Sequence, residues 1–259
     1  MKVTLFTLLI LLSACGKFKV FKRSSQEKQN ISKIYATGKL TVAVFYEPGA
    51  EPFTDTVVPV PGLSSVKVWD VLEANLKAMF PGKTITVPKD LAQMSALSAQ
   101  NKATWQENEI YDLGINQGQP SLADTTVFNI YFVKGRLNGN PNVIGVHLSN
   151  TKTIAVFKDV VVASSSGVNG SATQRYVEQA TLVHEMGHGV GLVNNGAPMT
   201  SSHEEQSSGH QRHCDNPDCV MYWKNEGTSD LMGYITKHLL KLNPVMLDSA
   251  CLNDVTSYK

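Results

Sequence analysis

The sequence has no surplus of one charge: 23 Lys and Arg stand against 22 Asp and Glu. Without such a surplus no strong field draws the chain onto nucleic acid or an anionic membrane. Long hydrophobic runs are also missing. The apolar stretch Val3 to Leu12 follows Met1-Lys2 and is too short to span a bilayer. No internal repeat, second signature or long low-complexity linker divides the chain, so one domain is expected. With 42% hydrophobic residues overall, residues 34–259 are enough to bury one sizeable core.

What is present is concentrated in His184-Glu185-Met186-Gly187-His188-Gly189-Val190-Gly191. On a helix, residues four apart share a face, so His184 and His188 can aim two imidazoles at one Zn²⁺. Glu185 is placed to take a proton from water held at such a metal. Ser171 and Gln174 form a capping-box pattern that starts a helix. Val177, Ala180, Thr181, His184 and His188 then recur at spacings of three and four along one face. Gly191 stands where a glycine can turn left-handed and end the helix. These residues make a hydrolytic centre that lacks one ligand.

A second constellation follows at His213-Cys214-Asp215-Asn216-Pro217-Asp218-Cys219-Val220-Met221. Together the two segments resemble the metzincin zinc peptidases, and within them the archaemetzincins. That family reads H-E-x-x-H-x-x-G-x-x-H, and archaemetzincins continue from the third His into Cys, four residues, Cys, one residue and Met. The resemblance covers Thr181 to Gly191 and His213 to Met221. It implies an α+β fold in which a twisted mixed β-sheet packs on an active-site helix, with a methionine turn under the metal and a small helical C-terminal part. It also implies Zn²⁺ held by His184, His188 and His213, with Glu185 as general base and a protein or peptide as substrate.

The chain departs from the family twice. Asn194 occupies the position of the third His, and the His-Cys string arrives only at residue 213. The segment between is read as an insertion in the turn, because a neutral amide oxygen is a poor zinc ligand. His213 is therefore the expected third ligand, ahead of His203, Asn194 and His210. A peptidase using Glu204 or Glu205 instead is the weaker reading. Archaemetzincins also carry a later C-x-x-C that completes a four-Cys structural zinc site. Here only Cys251 remains, so that second zinc is expected to be missing.

The start of the chain bears on compartment. Leu12-Ser13-Ala14-Cys15 resembles the lipobox of bacterial lipoproteins, in which a Cys is acylated after cleavage. Residues 1–14 read as a signal peptide, 15–33 as a lipidated Cys with a flexible tether and 34–259 as the metallopeptidase domain. The missing Asp at position 16 leans, by the same resemblance, toward the outer membrane. Removing residues 1–14 takes away Lys2, leaving 22 basic against 22 acidic side chains. Outside the cytoplasm thiols oxidise, so Cys214 and Cys219 are expected to form a disulfide bracing the turn before Met221. The alternative is a metal shared with Cys251 and a fourth ligand such as His238. No cysteine lies between Cys15 and the domain, which argues against a cysteine that blocks the zinc.

The order of elements is expected to be a strand at Leu40–Tyr46, a helix at Val66–Phe80 and a strand at Thr84–Val87. A polar, partly helical stretch, Leu91–Gly114, comes next. Strands follow at Val127–Val133, Val143–Leu148 and Thr153–Val162, before the zinc helix. Two functions fit: a monomeric envelope-anchored zinc endopeptidase, and a non-catalytic surface lipoprotein with a structural or vestigial metal. Cys15→Ser is expected to release the protein from the membrane fraction or leave its signal uncleaved. Equal labelling of both forms by a clickable fatty acid would remove the anchor.

Overall fold

The segment Thr125–Val133 is almost wholly apolar or aromatic, the composition of a strand covered on both faces, and it lies at the centre of the sheet. The computed structural model describes residues 25–57, 66–164, 170–226, 231, 234 and 244–258. The expected leader, Cys15 and His238 lie outside the described residues.

In chain order the elements are α1 (Ser25–Ala36), β1 (Lys39–Tyr46), β2 (Thr56–Val57), β3 (Val66–Lys67), α2 (Val68–Met79), β4 (Thr84–Thr86), β5 (Ser95–Ala96) and β6 (Thr104–Trp105). Then come α3 (Glu107–Gln117), β7 (Thr125–Val133), β8 (Arg136–Leu137), β9 (Gly145–His147), β10 (Thr153–Phe157), α4 (Lys158–Ala163), α5 (Gly170–Gly189) and α6 (Ser249–Ser257). The main sheet has the order β4-β1-β7-β10-β9, with β5 added at the end of β1. Its pairs are parallel except β10 with β9, which run antiparallel and leave β9 at an edge. This is a mixed α+β architecture.

Alternation along β7 sorts its side chains between two helical layers. Phe132 meets Trp69 of α2 edge-on at 6.0 Å, and Phe128 lies close beneath Gly189 of α5. On the other face Tyr131 stacks on Phe45, 4.9 Å between centroids, and donates its hydroxyl to the Leu113 carbonyl of α3. Trp69, Phe128, Tyr131 and Phe132 are fully buried. Each contributes roughly 1.5–3 kcal/mol through burial of its ring.

Two expectations change here. The run Thr153–Val162 was expected as one strand, but β10 stops at Phe157 and Lys158–Ala163 is helical. The β-branched valines favour a strand locally, yet tertiary contacts override them. Lys158 turns inward to pair with Glu178 of α5, and Asp159 accepts the Gly135 amide at 2.8 Å. The other change is in the expected tether, residues 15–33. From Ser25 onward it is the helix α1, and Ile31 and Ile34 are buried in the core.

Lys158 and Glu178 form a buried ion pair, with the ammonium also over the Phe53 ring at 3.4 Å and Glu178 accepting the Phe53 amide at 2.7 Å. Burial raises Glu178 to about 7, against the pull of Lys158. Lys158→Met would strand a buried carboxylate and is expected to lower stability by about 3–5 kcal/mol in denaturant melts. The double substitution with Glu178→Leu should recover most of that loss. A single variant as stable as wild type would show that the pair does not matter to folding.

Candidate metal centre

The helix α5 is buried over most of its length from Val177 to Gly187, and its fixed pitch places His184 and His188 side by side. It is already under way at Gly170, so Ser171 sits in its first turn rather than at the cap. Gly191 ends the helix at φ +89, and its amide bonds back to the His188 carbonyl at 3.1 Å. Val193 and Asn194 follow, also at positive φ, and the chain doubles away from the helix.

The segment that returns to His213 is an ordered turn. Glu204 pairs with Cys214 as an antiparallel bridge, with the Glu205 amide on the His213 carbonyl at 2.8 Å and the Asp215 amide on the His203 carbonyl at 2.9 Å. The Glu204 carboxylate clasps both ends of the excursion. One oxygen accepts Asn194 Nδ2 at 2.9 Å and the other accepts the Arg212 amide at 2.8 Å. Arg212 takes φ +72 and delivers His213 to the helix.

The three imidazoles meet at their Nε2 atoms. His188 Nε2 lies 3.1 Å from His184 Nε2 and 3.2 Å from His213 Nε2. Four-coordinate zinc, with bonds of about 2.0–2.1 Å, sets its donors about 3.3–3.4 Å apart. His184 Nδ1 lies 2.8 Å from the Val220 carbonyl and His213 Nδ1 lies 3.2 Å from that of Gln211, so both rings have a backbone acceptor on the far side. That arrangement turns the Nε2 lone pairs inward, as metal-ligating histidines require. His188 Nδ1 is buried with no hydrogen-bond partner among the described residues. Burial holds His184 down to about 4 and His188 well below the ordinary imidazole range, helped by the neighbouring rings. Neutral rings are what a cation binds.

Glu226, on the 3₁₀ turn Trp223–Glu226, is a fourth donor. It places Oε1 2.9 Å from His213 Nε2, and the four donor atoms all lie within 4.8 Å of one another. Burial would lower His213, but the Glu226 carboxylate and the His210 and Gln211 carbonyls together outweigh it and the net shift is upward. Glu185 lies outside this donor group. Its Oε2 accepts the His147 amide of edge strand β9 at 2.7 Å, and burial raises its carboxyl to about 8.

The methionine turn runs under α5. Met221 is fully buried, and a Cβ placed on Gly187 would come within 2.3 Å of its sulfur. A side chain at that helix position would have to push the Met221 side chain aside.

Of the rival ligands, Asn194 is bound to Glu204 and His210 stacks on Trp223 at 3.9 Å. His203 is buried elsewhere, its Nε2 2.8 Å from Asp254 and its Nδ1 3.6 Å from Cys214 Sγ. Glu204 is used as a clasp, and Glu205 accepts from Ser207.

A second donor group lies beside the first. Cys214, Cys219, Cys251 and Asp248 hold their ligand atoms within 4.8 Å of one another. The expected Cys214–Cys219 disulfide is not formed, for all three cysteines are free thiols. Helix α6 brings Cys251 and its N-cap Asp248 to the pair, with Cys219 Sγ 3.5 Å from Cys251 Sγ. Asp248 accepts the Cys251 amide at 2.9 Å and Asn216 Nδ2 at 2.8 Å. Hydrogen bonds from the Cys219 and Cys251 thiols and from His203 hold Cys214 far below the ordinary thiol range, against its burial. The fourth member of this group is Asp248, three residues before Cys251, where His238 was the expected candidate. That spacing was visible in the sequence. Glu226, five residues past Met221, had no such signal.

Comparison with family models, with curated proteins and with solved structures finds no match to this chain. The site is therefore defined by its own geometry: two groups of side chains, each able to hold a metal ion.

His213→Ala is expected to weaken one of two metal equivalents by more than the roughly 10–100-fold that outer partners of a ligand cost. Competition with a chromophoric chelator reads this, with His210→Ala and Asn194→Ala leaving both equivalents tight. A His213→Ala protein that holds metal as wild type does would remove His213 from the centre.

Proposed function

We propose that the protein is a zinc-dependent endopeptidase of the metzincin kind, anchored to the cell envelope through Cys15. The observation that supports this best is Glu185, a buried carboxylate next to the three converging imidazoles but outside the group that would bind metal. A purely structural centre has no use for it.

His184, His188 and His213 would hold the zinc, which when bound polarises a scissile carbonyl and lowers the pKa of water. Glu185 accepts the proton that water gives up and returns it to the leaving amine. Burial and the Glu226 carboxylate raise its pKa to about 8, and a cation at the histidines would lower it toward the ionised form a base requires. The His147 amide fixes the carboxylate against β9, so the base cannot swing away. Because β9 is an edge strand, an extended peptide can add to the sheet beside the centre, held by backbone hydrogen bonds. The Cys214, Cys219, Cys251 and Asp248 group would hold a structural zinc that braces the chain just after His213. Thiols bound to a metal are also protected in an oxidising compartment.

The non-catalytic reading has one observation in its favour. Glu226 supplies a fourth protein donor, as closed structural sites have.

Purified protein is expected to carry stoichiometric zinc and to cleave an unstructured substrate such as casein in a chelator-sensitive way. Glu185→Gln should keep the metal and lose about 10²–10⁴ in turnover, because the amide cannot accept the proton. Near-normal hydrolysis by that variant would show that Glu185 is not the base, and wild type that holds zinc but cleaves nothing would favour the non-catalytic reading.

A further inference from the structure

We propose that Glu226 is a displaceable fourth donor, which closes the histidine centre in the resting protein until an oxygen of the incoming peptide takes its place. The proposal rests on the zinc reading above.

The spacing comes first. Glu226 Oε1 stands 2.9 Å from His213 Nε2, close to the 3.1 and 3.2 Å that separate the histidine donors. An ordinary surface ion pair would bring the carboxylate to one imidazole only. Here all four donor atoms share one small volume, which is the layout of a coordination sphere.

The direction of approach comes second. The Glu226 side chain is 44% exposed, against 9% for His213. His184 is buried within α5, and the Glu204 clasp ties down the chain that carries His213. Glu226 instead hangs from a single 3₁₀ turn on the solvent side. Of the four donors it is the only exposed one, while the histidines are held in or against the core. The donor that moves is therefore the carboxylate.

The roles of the two carboxylates come third. Glu185 is held by β9 and stays off the donor group, so opening the centre leaves a base already in position. Glu226 occupies the place that a substrate oxygen would need. A resting centre closed in this way binds ligands in proportion to the fraction of molecules in which Glu226 is away.

The test is calorimetric titration of the zinc-loaded protein with acetohydroxamate, an oxygen-donor chelator. If Glu226 occupies the fourth position in nine-tenths of molecules or more, Glu226→Ala should bind the hydroxamate at least about tenfold more tightly. Glu226→Gln, which keeps the shape and replaces the carboxylate with a weak donor, should move the same way. Chelator competition should show zinc held more weakly in both variants. Equal hydroxamate affinity in wild type and both variants would overturn the proposal and reduce Glu226 to an ion-pair partner of His213. Wild-type protein with no stoichiometric zinc at the histidines would instead sink the zinc reading, and this proposal with it.

Discussion

Three imidazoles whose Nε2 atoms converge within about 3 Å crowd one another unless a cation lies between them. Much of the chain from residue 170 to 258 serves to hold that arrangement. The pitch of α5 fixes two rings, so the remaining problem is to bring the third from outside the helix. Gly191, Val193 and Asn194 turn the chain away at positive φ, Glu204 clasps both ends of the excursion, and Arg212 turns it back. The bridge between Glu204 and Cys214 then fixes the backbone at His213.

The two donor groups are coupled through this backbone. His213 and Cys214 are neighbours, so the residue that completes the first group adjoins the one that opens the second. Cys251 and Asp248 belong to α6, so the second group ties the C-terminal helix to the methionine turn. His203 sits between, bonded to Asp254 of α6 and near the sulfurs of Cys214 and Cys251. One ring nitrogen of His203 thus faces the sulfurs of the second group and the other faces Asp254, and neither is turned to the first group.

Local pattern made α5 legible, because a helix writes its contacts at spacings of three and four. The same logic exposed β1 and β7, whose apolar runs need no partner to be recognised. It misread the chain after Phe157: three valines favour a strand, but Lys158 and Asp159 pair with the distant Glu178 and Gly135 and the segment is helical. It also misread residues 25–33, whose polar composition hid Ile31 as an anchor in the core. At the site, the paired histidines and Glu185 follow from one helix, whereas Glu226 and Asp248 join their groups through folding of separate segments. Glu226 carries no local mark, and Asp248 is marked only by its three-residue spacing from Cys251. Their chemistry exists only once the chain has closed.

The contact between Gly187 and Met221 has a further consequence. Helix and turn meet through a bare Cα and a thioether sulfur, with no side-chain layer between them. The sulfur is therefore sealed from water, yet an oxygen added to it has nowhere to go on the helix side. Conversion of Met221 to its sulfoxide would wedge α5 and the turn apart and separate His184 from the Val220 carbonyl that orients it. The floor of the centre is chemically vulnerable at one atom, and the tight packing that makes it so also shields it.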